Sequence, residues 1–449
     1  MKYGRSCRKI SAGNIFSACL FVGALSPAIN YADMSGRFGV VVRYDDRQYM
    51  RNTYLEEHGN LLYVNTARSL RSEVSYALYQ PVSSHNRSPY SEGRGKLYKL
   101  VLEKKLVLTD ENYATVTIGR IQRADDLGFY YLDGADLKVH IKNWLISTYI
   151  GKPGRIEDFR GISGKLISGL DINSRWRGLD IACFDSLQIK FGWQRYQQTS
   201  IDKQDRITLA LRGSGNQIQG KEYRLLSSLD TFIRASWFPD TGRTEDVQVG
   251  INSRWRNRVT LRLSYETYHP EKPYLTFRER FYSVYSRGYQ KTLTGEFNYR
   301  LAKSQLITFR RRQTKKEFGD GGYGSSIGYR LNQIAGFKWR FQYDYLRLNT
   351  DSAESYYIEL NTPLGPTVRA EFGAALQEQQ KSLYGKNSAR AFEINIEKMI
   401  HADLFVKFSS SYVSNSRLQD EYRIGVRLDY YFDNRIADVF GKAPDKIEQ

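Results

Sequence analysis

The side chains best suited to chemistry are scattered through this chain. The five histidines are His58, His85, His140, His269 and His401, and no two stand at the spacing of a metal pair. Acid–base catalysis needs a histidine held by a carboxylate or hydroxyl partner, and no motif here supplies one. Cys7, Cys19 and Cys183 form no paired redox or metal-binding motif. Glycine-rich phosphate cradles are missing too. The expectation is a protein that is not an enzyme and holds no cofactor and no metal.

One dense constellation stands out. Residues 120–136 place Arg120 and Arg123 beside Asp125, Asp126, Asp133 and Asp136, interleaved with Phe129, Tyr130, Tyr131 and Leu132. A loop that only faces water seldom mixes carboxylates with so many rings. What such a segment can do depends on the elements around it.

Those elements read as strands. In 336–346, Phe337, Trp339, Phe341, Tyr343 and Tyr345 fall on one face, with Lys338, Arg340, Gln342 and Asp344 on the other. In 258–267, Val259, Leu261, Leu263 and Tyr265 oppose Thr260, Arg262, Ser264 and Glu266. In 389–397, Phe392, Ile394 and Ile396 oppose Glu393, Asn395 and Glu397. A period of two is the strand signature. Its recurrence with aromatic or branched residues on one face and charges on the other fits a barrel with a lipid-facing band and a wet lumen. The mean hydropathy of −0.55 is no obstacle, because such strands never look apolar on average. After the first thirty or so residues, no apolar run approaches the ~20 residues of a membrane-spanning helix. The chain has 34 Tyr, 22 Phe and 6 Trp, and rings with a polar tip suit the headgroup level of a bilayer.

Link lengths provide a second test. Outer-membrane barrels alternate tight inner turns with longer outer loops. Short links at 399–402, 362–365, 331–335, 301–303 and 256–258 alternate with longer ones at 413–419, 377–388, 347–354, 314–321 and 268–290. Upstream, beyond about half the chain, the alternation blurs, but candidate strands near 36–44, 60–70, 73–80, 96–107, 113–120, 136–142, 144–151, 167–176, 187–197, 204–213, 222–238 and 244–254 complete the set. The predicted fold is an all-β, antiparallel, up-and-down transmembrane barrel of about 18–22 strands, with 22 the best count.

The N-terminus reads as an export signal. Lys2, Arg5, Arg8 and Lys9 precede an apolar stretch from Ile15 to Leu25, followed by Ser26-Pro27-Ala28 and Asn30-Tyr31-Ala32. A lipoprotein reading would use Phe16-Ser17-Ala18-Cys19, but Phe is a poor first residue there and the apolar core runs past the cysteine. The expected layout is a signal peptide at 1–32, a barrel at 33–432 and a periplasmic tail at 433–449. Strands begin so soon after the leader that no plug domain is expected.

The last strand carries a resemblance. Arg423-Ile424-Gly425-Val426-Arg427-Leu428-Asp429-Tyr430-Tyr431-Phe432 resembles the terminal assembly signal of Gram-negative outer-membrane proteins. Arg423, Gly425, Leu428 and Tyr430 occupy the polar, glycine, hydrophobic and aromatic places, and Phe432 extends the aromatic register. The resemblance implies placement in a bacterial outer membrane and recognition by the β-barrel assembly machinery. The tail beyond Phe432 departs from the pattern, since most such proteins stop at the aromatic residue.

Within this frame the remaining features take expected roles. Ile172-Asn173-Ser174-Arg175-Trp176-Arg177 recurs as Ile251-Asn252-Ser253-Arg254-Trp255-Arg256, which puts Trp176 and Trp255 at one rim as interface-girdle residues. Segment 120–136 is expected to be either an exposed outer loop or a loop folded into the lumen. In the second case Asp125, Asp126 and Asp133 would sit against wall arginines and create a transverse field. The lumen or constriction candidates are then Arg120, Arg123, Asp125, Asp126, Asp133, Arg262, Lys338, Arg340 and Arg427.

The run Arg310-Arg311-Arg312 with Lys315 and Lys316 borders an outer loop and could meet lipopolysaccharide phosphates or anionic solutes. The 67 Lys and Arg outnumber the 48 Asp and Glu. Export removes nucleic acid as a partner, leaving anionic lipid, an acidic polymer or small anions. The expected function is a porin-like channel for small anionic solutes. An export barrel for an acidic polysaccharide or other polymer is the first alternative, and a structural or adhesive barrel the second.

Overall fold

A computed structural model describes residues 32–433, apart from 48–49, 86–93, 126–127, 156–163, 182–183, 199–203, 217–225, 241, 257, 269–288, 318–320, 335, 349–350, 381–386 and 415–419. The expected signal peptide, the tail beyond 433, Asp126 and Cys183 lie outside the described residues.

The first strands are β1 (Ala32–Arg47), β2 (Met50–Asn65), β3 (Leu70–His85), β4 (Arg94–Val107), β5 (Asn112–Asp125) and β6 (Gly128–Ile141). Next come β7 (Trp144–Arg155), β8 (Gly164–Ile181), β9 (Phe184–Gln198), β10 (Gln204–Asn216), β11 (Leu226–Phe238) and β12 (Arg243–Trp255). The chain continues through β13 (Val259–Tyr268), β14 (Gln290–Ala302), β15 (Gln305–Lys316), β16 (Gly322–Ile334) and β17 (Phe337–Leu348). It ends with β18 (Ser352–Pro363), β19 (Val368–Gln379), β20 (Ser388–His401), β21 (Leu404–Ser414) and β22 (Glu421–Asp433).

Each strand pairs antiparallel with the next, and β22 closes on β1 from Ser35 opposite Asp433 to Asp46 opposite Tyr422. The result is a closed barrel of 22 strands, each paired with a neighbour on both sides. Period-two alternation sorts the side chains. Val42, Leu263, Phe297, Phe309, Ile327, Phe341, Ile358 and Val426 all lie exposed on the outer face. So continuous an apolar exposure is a surface made for lipid.

Strand β1 begins, and β22 ends, at one rim, called here the near rim. Tight turns there are made by residues 66–69 and 142–143, and Ser69, Lys142 and, after β12, Arg256 take positive φ. One sequence expectation needs correction. The strand placed near 60–70 runs instead over β2, with the turn at 66–69. Link alternation is clear in the second half and blurs upstream, as expected: far-rim links 48–49 and 126–127 are two residues long, whereas near-rim link 217–225 is nine.

Candidate functional site: a folded-in flap facing a basic arc

Segment 120–136 is a hairpin, not a loop, because β5 runs to Asp125 and β6 starts at Gly128. Its pairing shows that it leaves the wall. The β4–β5 ladder stops at Leu100 opposite Arg120, and the β7–β8 ladder stops at Gly151 opposite Ile167. Above that line β5, β6 and β7 pair only with one another, up to Tyr130 opposite Arg155. Three strand ends therefore form a flap outside the backbone ladders of both neighbours.

The break runs along a row of glycines. Gly119 stands opposite Gly134, and Gly134 opposite Gly151. Gly119 takes φ +123°, which disfavours a side chain. A Cβ on Gly134 would run into the Ile150 carbonyl oxygen, and one on Gly151 would lie 2.6 Å from the Asp133 carbonyl. Only glycine permits the three backbones to fold this closely.

The flap turns into the lumen. Arg123 is in register with Tyr130, six residues along β6 from Asp136. On a flat sheet that is about 20 Å at ~3.3 Å per residue, well beyond an arginine side chain. Yet Arg123 donates to the Asp136 carboxylate at 2.9 Å and to Asp171 on β8 at 2.9 Å. Both acids face the lumen, on the opposite side of their strands from exposed Leu137 and Leu166. The guanidinium also lies 3.5 Å from the centroid of the Tyr149 ring, and that ring rests over Gly169. Asp136 accepts a further bond from the Ser147 hydroxyl at 2.9 Å, and Gln194 donates to the Tyr149 hydroxyl.

Around this polar lock the flap buries Ile121, Tyr130 and Leu132 in one cluster with Val101, Tyr149, Ile167 and Tyr196 of the wall. Tyr130, Leu132 and Ile167 are fully buried. The other flap face carries Arg120 and Asp133. Arg120 holds Asp133 in a fork of two 2.7 Å bonds, donates to the Leu97 carbonyl at 2.8 Å and lies 4.4 Å from the Tyr131 ring centroid. Asp125 lies at the flap tip.

Across the lumen stands a different wall. Strands β6 and β17 are diametrically opposed in a ring of 22. The inward positions of β14–β17 include Arg300, Arg312, Arg330 and Lys338, none of which has a carboxylate partner among the described residues. Arg330 even stands directly opposite Arg340. Arg262 and Arg310 share Glu296 at 3.3 and 2.6 Å, and Arg340 lies 3.9 Å from Glu359. Inward carboxylates predominate on the following strands, with Glu359, Glu371, Glu393 and Glu397 on β18–β20.

The remaining candidates fall as follows. Arg427 lines the lumen and shares Asp429 with Arg37. In β22, Arg423 and Gly425 face inward, whereas Leu428 and Tyr430 lie exposed outside and Phe432 stacks on Phe38 at 5.7 Å. Trp176 packs on Trp144 at 5.8 Å outside the near rim, where Trp255 is also exposed. Asp136, Asp171 and Tyr149 were not among the expected site residues, although they hold the flap. Among the histidines, His58 pairs with Glu56 at 3.0 Å and His140 stacks on Tyr113 at 4.2 Å, contacts that serve packing.

No protein-family model matches the chain, and no curated protein matches it. Solved structures do. The siderophore receptor PirA from Pseudomonas aeruginosa superposes with a TM-score of 0.59 at 10% identity, covering 88% of this chain and 80% of that one. A mutant of the ferric enterobactin receptor PfeA from the same organism gives 0.57 at 10% identity, covering 89% and 80%. Pseudomonas aeruginosa OprD is a looser likeness, at 0.38 and 10% identity over 89% of this chain and 95% of that one. At these identities the first two show the fold: this chain has the architecture of the outer-membrane β-barrels.

Proposed function

We propose that the protein is an outer-membrane channel for small anionic solutes, with the flap as its constriction. The observation that carries this reading is the flap locked over the inner wall by Arg123, facing the basic arc of β14–β17 across the lumen. A bridge of three strands narrows the passage. The unmatched Arg300, Arg312, Arg330 and Lys338 would make the opposite side favour anions, because a fixed positive arc in a confined aqueous space concentrates them. Arg120 and Asp133, paired on the flap, set both charge signs against that arc. The outward apolar band supports residence in a membrane, and the terminal strand β22 would be the element read by the assembly machinery.

Planar-bilayer recording of the purified protein under a KCl gradient tests this. Stable conductance with anion preference is expected, and the preference should disappear in the triple variant Arg312→Gln, Arg330→Gln, Lys338→Gln. Cation preference, or selectivity unmoved by the triple variant, would overturn the assignment. Block of the current by an anionic oligosaccharide at concentrations that leave small-anion flow intact would move the function to export of an acidic polymer.

A further inference from the structure

A second group of cations lies outside the barrel. On β14–β17, Lys291, Arg311, Lys315 and Arg347 alternate with the lumen residues, and so share the outer face with Leu293, Phe297, Phe309 and Phe341. They sit toward the far rim, where the apolar face of each strand gives way to charge. Lys291 and Lys315 stand directly opposite each other across the ladder. Like charges so placed repel unless an anion lies between them.

Arg311 lies 4.1 Å from the Tyr323 ring centroid and donates to the Ser325 hydroxyl at 2.7 Å. Arg347 is in register with the same Tyr323. Lys291 rests 5.3 Å from the Tyr289 ring. No carboxylate pairs with any of the four among the described residues. Glu317 instead accepts from the Tyr289 backbone amide at 3.0 Å, and Glu354 accepts from the Tyr356 hydroxyl at 3.0 Å.

We propose that this patch binds the phosphate groups of a phosphorylated glycolipid in the surrounding leaflet, of the lipid A kind. The argument is one of placement. Cations held on aromatic rings at the edge of an apolar band sit at the level of lipid headgroups, and each gains when an anionic headgroup lies beside it. A solute in the lumen cannot reach them, because the wall separates the two faces. Lys291 and Lys315 pair across β14 and β15, and Arg311 of β15 and Arg347 of β17 flank Tyr323 of β16 between them, so one headgroup carrying two phosphates can engage both groups. The inference rests on membrane residence but not on what the lumen conducts.

The test is native mass spectrometry of the full chain in detergent, titrated with diphosphoryl lipid A, with its dephosphorylated form and with inorganic phosphate. One lipid A should bind per chain, and affinity should fall at least about tenfold when the phosphates are removed. It should fall similarly in the quadruple variant Lys291→Gln, Arg311→Gln, Lys315→Gln, Arg347→Gln. The lumen variant Arg312→Gln, Arg330→Gln should bind as the wild type does. Equal binding of the two lipids, or undiminished binding by the quadruple variant, would overturn the proposal. Competition by inorganic phosphate at concentrations matching the lipid would assign the patch to free anions instead. Bilayer conductance of the quadruple variant is a separate readout: failure of the channel reading would leave these lipid affinities standing.

Discussion

The wall of β5–β9 and the wall of β13–β18 are built from the same residue types in the same alternation, yet they behave as different materials. In the first, inward side chains form a protein interior. Leu132 and Ile167 are fully buried, and the Arg123 side chain keeps only 10% of its exposure between two aspartates. In the second, Arg262 and Arg310 remain 58% and 51% exposed although both reach Glu296. The difference is the flap. Covered ion pairs are dehydrated, so losing one partner strands a buried charge, whereas open pairs are screened and worth little. A barrel wall is therefore held by its backbone ladder, and only what folds onto it makes particular side chains indispensable.

The largest break in this contrast should come from the glycine row. Gly134→Val would drive its side chain into the Ile150 carbonyl and the Gly151 Cα, two backbone atoms that cannot step aside. The flap should then leave the inner wall, and single-channel conductance should rise several-fold. The matched change on the other side is Gly373→Ala in β19, whose new Cβ would meet nothing closer than 3.8 Å and should leave conductance unaltered. Equal conductance for Gly134→Val and wild type would mean that the flap does not limit the passage.

A second break acts through charge. Arg123→Met takes the shared cation from Asp136, 1% exposed at its side chain, and from Asp171, leaving Asp136 the more distant Lys138 at 3.6 Å. Removing one member of a buried network costs roughly 3–5 kcal/mol. Urea unfolding in micelles should register that loss, with the added changes Asp136→Asn and Asp171→Asn recovering part of it. Arg340→Met on the open wall should cost about 1 kcal/mol or less. Comparable losses for the two arginines would erase the distinction between covered and open walls.

How much of this was legible in the sequence follows from the same physics. Strands such as β13 and β17 announce themselves, because one face meets lipid and the other water, so Leu261, Leu263 and Tyr265 alternate with Arg262, Ser264 and Glu266. Strand β2 was misplaced where Glu56, Glu57 and His58 run together and blur the alternation. Segment 120–136 was singled out for its carboxylates and rings, and folding into the lumen was one of its two expected placements. Its strand character was missed because polar and apolar residues there no longer sort between water and lipid: one flap face packs on the wall and the other carries the Arg120–Asp133 pair. Gly119, Gly134 and Gly151 are unremarkable in sequence, and only strand pairing lines them up. Asp171 sits 48 residues from Arg123, so its role is a product of topology.

The smallest effect is the one that best sharpens the picture of the open wall. Arg262→Gln removes a guanidinium 3.3 Å from Glu296, but that carboxylate keeps Arg310 at 2.6 Å and Asn298 at 2.8 Å. No buried charge is stranded, so stability should change by no more than about 0.5 kcal/mol, as for exposed pairs generally. The lumen nevertheless loses one positive charge beside the basic arc. Reversal potentials should therefore show a modest fall in anion preference while the urea midpoint stays fixed. A stability loss well above 1 kcal/mol would mean that this ion pair is shielded from water, and that something covers the second wall as the flap covers the first.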